Sequence, residues 1–231
     1  MTREHNTHQH QPDTNTHHQH PNNSTPNTEN LVTEEITFTT ADGHQLKGHL
    51  IAPGEPAEEA VASPQKIATV MHPATGVNQH LYRKFAEYLA TKGWPTLIYD
   101  LRGSGLSAQP QDNTDKTMKM SDWILKDVPA ATAYLKSRYP DHRHVAIGHS
   151  VGAHGMIAIQ DEQPVDAMVM IAAHAGITKL ISTAAERAKI WVVFNLVTPL
   201  TARTLGYVPV EKLGIGKQIP VGVMKCPGFC S

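Results

Sequence analysis

One short segment holds residues whose types and spacing suit covalent chemistry. Gly148 and Gly152 frame Ser150 in the pattern G-x-S-x-G, with His149 and Val151 between them. An apolar run typical of a buried strand precedes this pattern, and a run of small residues compatible with a helix follows it. A serine on such a sharp turn projects its hydroxyl above the sheet, and a side chain at either glycine would crowd the turn. The pattern predicts Ser150 as a nucleophile, with the Val151 amide at the helix N-terminus directed at the reacting oxygen. The alternative is an ordinary glycine-rich turn.

Two further loops follow predicted strands. The run His72-Pro73-Ala74-Thr75-Gly76 ends one strand, and a run from Asp100 to Ser107 that contains Arg102 follows another. An Asp–Arg pair commonly fixes such a loop, so Asp100 and Arg102 are predicted to be structural. The glycines of the second loop lack the spacing of a dinucleotide or phosphate-binding motif.

The elements that must position these residues alternate between strands and helices. An antiparallel hairpin with its turn at Asp42-Gly43 is predicted first. Short apolar runs then predict buried strands near 66–71, 94–99, 144–147 and 167–172, with helices between them. Leu81, Phe85, Tyr88 and Leu89 recur at helical spacing, which predicts the first helix, and Gly93 is where it should end. Such an order predicts an α/β fold with a mostly parallel sheet covered by helices on both faces.

The runs HPATG, YDLRGSGLS and GHSVG, in this order, resemble the α/β-hydrolase superfamily. More narrowly, residues 31–220 are similar to its serine aminopeptidase-like and monoglyceride-lipase-like branch, in particular to predicted bacterial hydrolases. The resemblance implies an acyl-enzyme on Ser150, a backbone oxyanion hole formed by Ala74 and Val151, a helical cap and no cofactor. Pro73 has no amide hydrogen, and Thr75 is the alternative to Ala74.

The resemblance also implies an acid and then a histidine after the nucleophile. After Ser150 the only histidines are His154 and His174, and the intervening acids are Asp161, Glu162 and Asp166. Asp166 and His174 bracket one predicted strand, so they should lie about 26 Å apart. The family's acid and base positions are thus expected to be absent. Other histidines expected near the site are His72, His80 and His149, and each is a weak candidate for the base.

Composition sets the domain organisation. The 231 residues carry 20 Lys+Arg and 21 Asp+Glu without a basic cluster, which argues against a nucleic-acid partner. Residues 1–30 are rich in His, Asn, Gln and Thr and are predicted to be a disordered tail. One hydrolase domain is expected over 31–231, with its core at 31–176, a cap at 177–223 and an aberrant end at 224–231. Cys226 and Cys230 in that end indicate a frameshift or truncation, and a two-ligand metal site is the alternative.

These observations predict a cytoplasmic enzyme without a membrane span or a bound metal. We expect a serine hydrolase that acts on a carboxylic ester with an apolar acyl part, or less readily on an amide. Because the triad is incomplete, a non-catalytic remnant that binds a small ligand is the alternative. Metal binding by the histidine-rich tail is a third hypothesis. The substrate and the oligomeric state cannot be predicted.

Overall fold

The computed structural model describes residues 28–54, 65–112, 115, 117–173, 182–192, 196–197, 200 and 219–224. Within this part of the chain, six strands form one sheet in the order β1-β2-β4-β3-β5-β6. The strands are β1 (Leu31–Thr39), β2 (Gln45–Pro53), β3 (Ile67–His72), β4 (Thr96–Tyr99), β5 (Arg143–His149) and β6 (Ala167–Ile171).

The predicted hairpin is confirmed. β1 and β2 pair antiparallel along their whole length, and Gly43 takes a positive φ of 85° in the turn between them. β2 then pairs antiparallel with β4. A Cβ at Gly48 would lie 2.3 Å from the Ile98 carbonyl oxygen, so this crossing requires a glycine.

The other four strands are parallel, as predicted. β3 lies between β4 and β5, and β6 pairs with the far side of β5. Parallel neighbours end at the same edge of a sheet, so the loops after β3, β4 and β5 meet at its carboxyl edge. The three sequence motifs lie in these loops.

Helices cover both faces of the sheet. One buried cluster unites Val70, Leu97 and Tyr99 with residues of the helices on their side, including Trp123, Leu135 and Met156. A second cluster joins Met71 and Ile98 to the helix on the other face. This alternation along β3 and β4 is what a strand buried on both faces requires. The α-helices among the described residues are α1 (Arg83–Thr91), α2 (Met120–Asp122), α3 (Val128–Arg138), α4 (Val151–Ala158), α5 (Ala184–Val192) and α6 (Val221–Met224).

The first predicted helix forms as α1, but only one of the four apolar residues that recur at helical spacing, Leu89, is buried. Tyr82, Ala86, Leu89 and Ala90 face the sheet, whereas the side chains of Leu81, Phe85 and Tyr88 are exposed. Alanines at two buried positions allow the helix to pack closely on the sheet. Helical spacing of large apolar residues therefore indicated the helix but not which of its side chains are buried. None of the described helices is both long enough and apolar enough to cross a bilayer.

Candidate active site

Ser150 lies in a sharp, strained turn between β5 and α4. Its backbone has a φ of 51° and a ψ of −113°, a conformation that costs a non-glycine residue about 1–3 kcal/mol. The Ser150 amide donates to the Ile171 carbonyl at the end of β6, at 2.9 Å. Ala172, the next residue along that strand, has a φ of 50°. Among the described residues other than glycine, these two alone have positive φ, and both follow the ends of neighbouring strands.

The glycines that frame Ser150 are required by close backbone packing. A Cβ at Gly148 would lie 2.5 Å from the Cα of Ala153 in the following helix. A Cβ at Gly152 would lie 2.3 Å from the carbonyl oxygen of His72. Gly148 thus packs against the first turn of α4, and Gly152 packs against the end of β3. The start of α4 therefore packs against the last residue of β3, immediately before the loop that follows this strand.

The loop after β3 begins in register with this turn. His72 is the partner of Gly148 across the strand pair, and Ala74 and Ser150 each follow two residues later. The buried Ala74 amide donates to the Tyr82 hydroxyl at 3.0 Å. Val151 is the first residue of α4, so its N–H has no acceptor within the helix.

Tyr82 is a residue of the site that the sequence analysis missed. Its hydroxyl accepts a hydrogen bond from the Ala74 amide and lies 2.9 Å from Nδ1 of His149, the residue before Ser150. Burial raises the pKa of Tyr82 to about 12, so the phenol keeps its proton. Tyr82, Ala86 and Leu89 also recur at helical spacing, and this is the sequence pattern from which the burial of Tyr82 could have been predicted.

The three histidines expected near the site differ sharply in their surroundings. His72 is buried, and its Nδ1 lies 3.0 Å from the Tyr99 hydroxyl. Burial lowers the pKa of His72 to about 3, so this imidazole is a poor proton acceptor at neutral pH. His80 is exposed at the start of the turn before α1. His149 is half-buried against Tyr82, with the two rings edge to face at 6.1 Å.

The acidic residues that follow Ser150 in the sequence lie away from it. Asp166 precedes β6 and accepts the His144 amide at 2.7 Å, at the amino edge of the sheet. Because β5 and β6 are parallel, Ser150 lies at the opposite edge. Asp161 and Glu162 are exposed in the turn after α4, and His174 lies outside the described residues. No described carboxylate–imidazole pair contacts the Ser150 hydroxyl.

The expected pair of Asp100 and Arg102 is not formed, although both side chains fix loops. Asp100 accepts the Gln79 amide at 2.7 Å, the Gln79 side chain at 2.7 Å and the Leu106 amide at 2.8 Å. It thereby links the loop after β4 to the turn that carries Tyr82. A Cβ at Gly105 would lie 2.2 Å from the Asp100 carboxylate, so a glycine is needed there.

Arg102 has two other carboxylate partners. It donates to Asp127 at 2.7 Å and to Asp42 at 2.9 Å. Asp127 ends a π-helical turn, Trp123–Asp127, between α2 and α3. Burial raises the pKa of Asp127 to about 6 against the lowering effect of Arg102, while Arg102 holds the pKa of Asp42 well below its usual range. The described residues offer no group of three His, Cys, Asp or Glu side chains able to hold a metal ion.

Solved structures share this fold. A hypothetical protein from Pseudomonas aeruginosa has a TM-score of 0.55 at 17% identity, over 88% of this chain and 72% of that one. An esterase from Pyrococcus furiosus has a TM-score of 0.51 at 23% identity, over 86% and 66% of the two chains. An α/β serine hydrolase without a lid, from Xanthomonas campestris, has a TM-score of 0.47 at 19% identity, over 63% of each chain. The chain thus spans less than two thirds of the length of the Xanthomonas protein.

Sequence comparison gives the family. No curated protein matches the chain. The family described as serine aminopeptidase, S33, matches residues 63–210, well over half of the chain. This match covers the loops after β3, β4 and β5 together with the turn at Ser150. The chain belongs to the serine aminopeptidase (S33) family of α/β hydrolases.

Proposed function

We propose that this α/β hydrolase cleaves a carboxylic ester through an acyl-enzyme on Ser150. The observation that carries the proposal is the strained backbone of Ser150, held between β5 and α4 by two glycines that admit no side chain. Strain of this kind in a non-glycine residue persists where the surrounding structure enforces it, and such residues cluster at active sites.

In the proposed reaction, Ser150 Oγ attacks the acyl carbon and its proton passes to a base. The tetrahedral intermediate collapses, the alcohol leaves with a proton, and water then releases the acid and regenerates the serine. The Val151 amide would donate to the oxyanion, helped by the positive end of the α4 dipole. The Ala74 amide is the proposed second donor, with Thr75 as the alternative.

An ester is preferred to an amide as the proposed substrate. The Pyrococcus neighbour is named an esterase, whereas the family is named for aminopeptidases, and both bonds are cleaved through the same intermediate. An amide has the poorer leaving group and depends more on an acid to protonate it. Since no described imidazole contacts the Ser150 hydroxyl, the less demanding ester is the better match. An apolar acyl part remains part of the proposal.

A second candidate function has one observation in its favour. Without a described acid–base pair at Ser150, the same site could bind a small acyl ligand without forming a covalent bond to it. Labelling with a fluorophosphonate probe separates the two functions. We expect the probe to modify Ser150, identified by peptide mass spectrometry, and to leave Ser150→Ala unmodified. A chain that binds acyl ligands but resists the probe would support the second function.

A further inference from the structure

The hydroxyl of Tyr82 connects the two segments on which the proposed oxyanion hole depends. One partner is the Ala74 amide in the loop after β3, at 3.0 Å, and the other is Nδ1 of His149 in the nucleophile turn, at 2.9 Å. Tyr82 itself is only 8% exposed and packs in the cluster beneath α1. Its hydroxyl is therefore held at a fixed place between the two segments.

The direction of both hydrogen bonds follows from counting donors and acceptors. The Ala74 N–H can only donate, so the Tyr82 oxygen accepts from it. The phenol proton of this buried side chain needs an acceptor, and His149 Nδ1 is the one within reach. His149 would then carry its own proton on Nε2. In this tautomer every polar atom of the bridge is satisfied.

We propose that Tyr82 is a positioning residue, which fixes the Ala74 amide against the nucleophile turn for oxyanion binding. This inference rests on the proposed function of Ser150. A tetrahedral oxygen that accepts from Ala74 would share that N–H with the Tyr82 hydroxyl in a three-centre hydrogen bond. Without the hydroxyl, the buried Ala74 amide and the His149 ring both lose the partner that orients them.

The position of Tyr82 is fixed in turn by hydrogen bonds between its own turn and the loop after β4. Tyr82 ends the short turn Gln79–Tyr82, and both the backbone and the side chain of Gln79 donate to the buried Asp100 carboxylate. Asp100, in the loop after β4, thus fixes the turn that carries Tyr82 through its hydrogen bonds with Gln79. Tyr82 in turn accepts the hydrogen bond from Ala74. A positioning role predicts an effect on the bond-forming step more than on ligand affinity.

The test compares Tyr82→Phe with Tyr99→Phe. Tyr99 is a matched control because its buried hydroxyl also contacts a histidine, Nδ1 of His72 at 3.0 Å, but does not contact Ala74 or His149. Labelling by a fluorophosphonate is resolved into reversible affinity and the rate of the covalent step. We expect Tyr82→Phe to lower the covalent rate at least about tenfold and to change the affinity less than about twofold. Tyr99→Phe should react at the wild-type rate.

Three results would overturn the inference. They are an unchanged or faster covalent rate in Tyr82→Phe, an equal loss in Tyr99→Phe, or a loss confined to affinity. Nitrogen chemical shifts of the His149 ring in the wild-type chain provide a test that needs no substitution. A proton on Nε2 supports the bridge, and a proton on Nδ1 contradicts it. If the wild-type chain is not labelled at all, the proposed function fails, while the tautomer still decides the bridge.

Discussion

At the scale of single residues, close packing around Ser150 allows a sharp test of the nucleophile turn. In Gly152→Ala the new Cβ would clash with the His72 carbonyl, at 2.3 Å, and overpacking of this kind costs about 1–3 kcal/mol. We expect the clash to displace the turn and to reduce labelling of Ser150 by at least about tenfold.

The matched control is Gly43→Ala in the hairpin turn. No atom lies within 4 Å of a Cβ there, but the φ of 85° costs an alanine about 1–2 kcal/mol. Both variants should therefore lose similar stability in urea unfolding, while Gly43→Ala keeps the wild-type labelling rate. Equal labelling in both variants would show that the contact with β3 does not position Ser150.

His72 gives a prediction about pH. Its folded pKa of about 3 lies below the usual 6.5, so between these values the unfolded chain binds more protons than the native one. Acidification in this window therefore favours unfolding, and the contribution of His72 to stability falls by about 2 kcal/mol between pH 6.5 and pH 5. Urea unfolding should show this loss in the wild-type chain and not in His72→Asn. His80→Asn, at an exposed position, should retain the wild-type pH slope, and identical slopes in all three proteins would contradict the prediction.

At the scale of elements, α1 and the short turn before it offer a pair of leucines with opposite surroundings, Leu89 in the helix and Leu81 in the turn. Leu89 is 6% exposed against the sheet, and Leu81 is 64% exposed. Leu89→Ala should cost about 2–4 kcal/mol because it leaves a cavity, whereas Leu81→Ala should cost less than about 0.5 kcal/mol. Chemical denaturation of both variants checks this difference. Similar losses would mean that the outer face of the helix is covered in solution.

The same helix shows which features could be predicted from the sequence and which could not. β3 and β4 appeared as short apolar runs because burial on both faces leaves few polar positions, so the parallel sheet could be predicted. β6 also appeared as an apolar run and was expected to be buried, but its side chains are exposed. Two apolar stripes share helical spacing in the first helix, and nothing local decides between large side chains and alanines. The partners of Arg102 were equally inaccessible, since Asp42 and Asp127 lie 60 and 25 residues away. Tyr82 became recognisable only when the fold placed its hydroxyl between Ala74 and His149.

At the scale of the whole molecule, the described residues supply several parts of the proposed hydrolase site but no acid–base pair at Ser150. The fold supplies the strained turn, the free N-terminal amide of α4 and the loop after β3. A serine hydroxyl is a weak nucleophile without a base, and deacylation needs a base to activate water. Among the described histidines, His72 is buried with a depressed pKa, and His149 is engaged by Tyr82. The first acylation should therefore be easier to detect than repeated turnover.

We accordingly expect the purified chain to react with a fluorophosphonate but to hydrolyse an activated ester slowly. An oxyanion hole and substrate binding alone sustain about 10³–10⁴-fold acceleration over water, so a faint rate that depends on Ser150 is consistent with this expectation. The measurement is burst kinetics with an activated ester, with Ser150→Ala as the control. Rapid turnover that Ser150→Ala abolishes would show that a base reaches the serine in the whole chain. His149→Gln and His80→Gln would then identify it among the described residues, because burial already argues against His72.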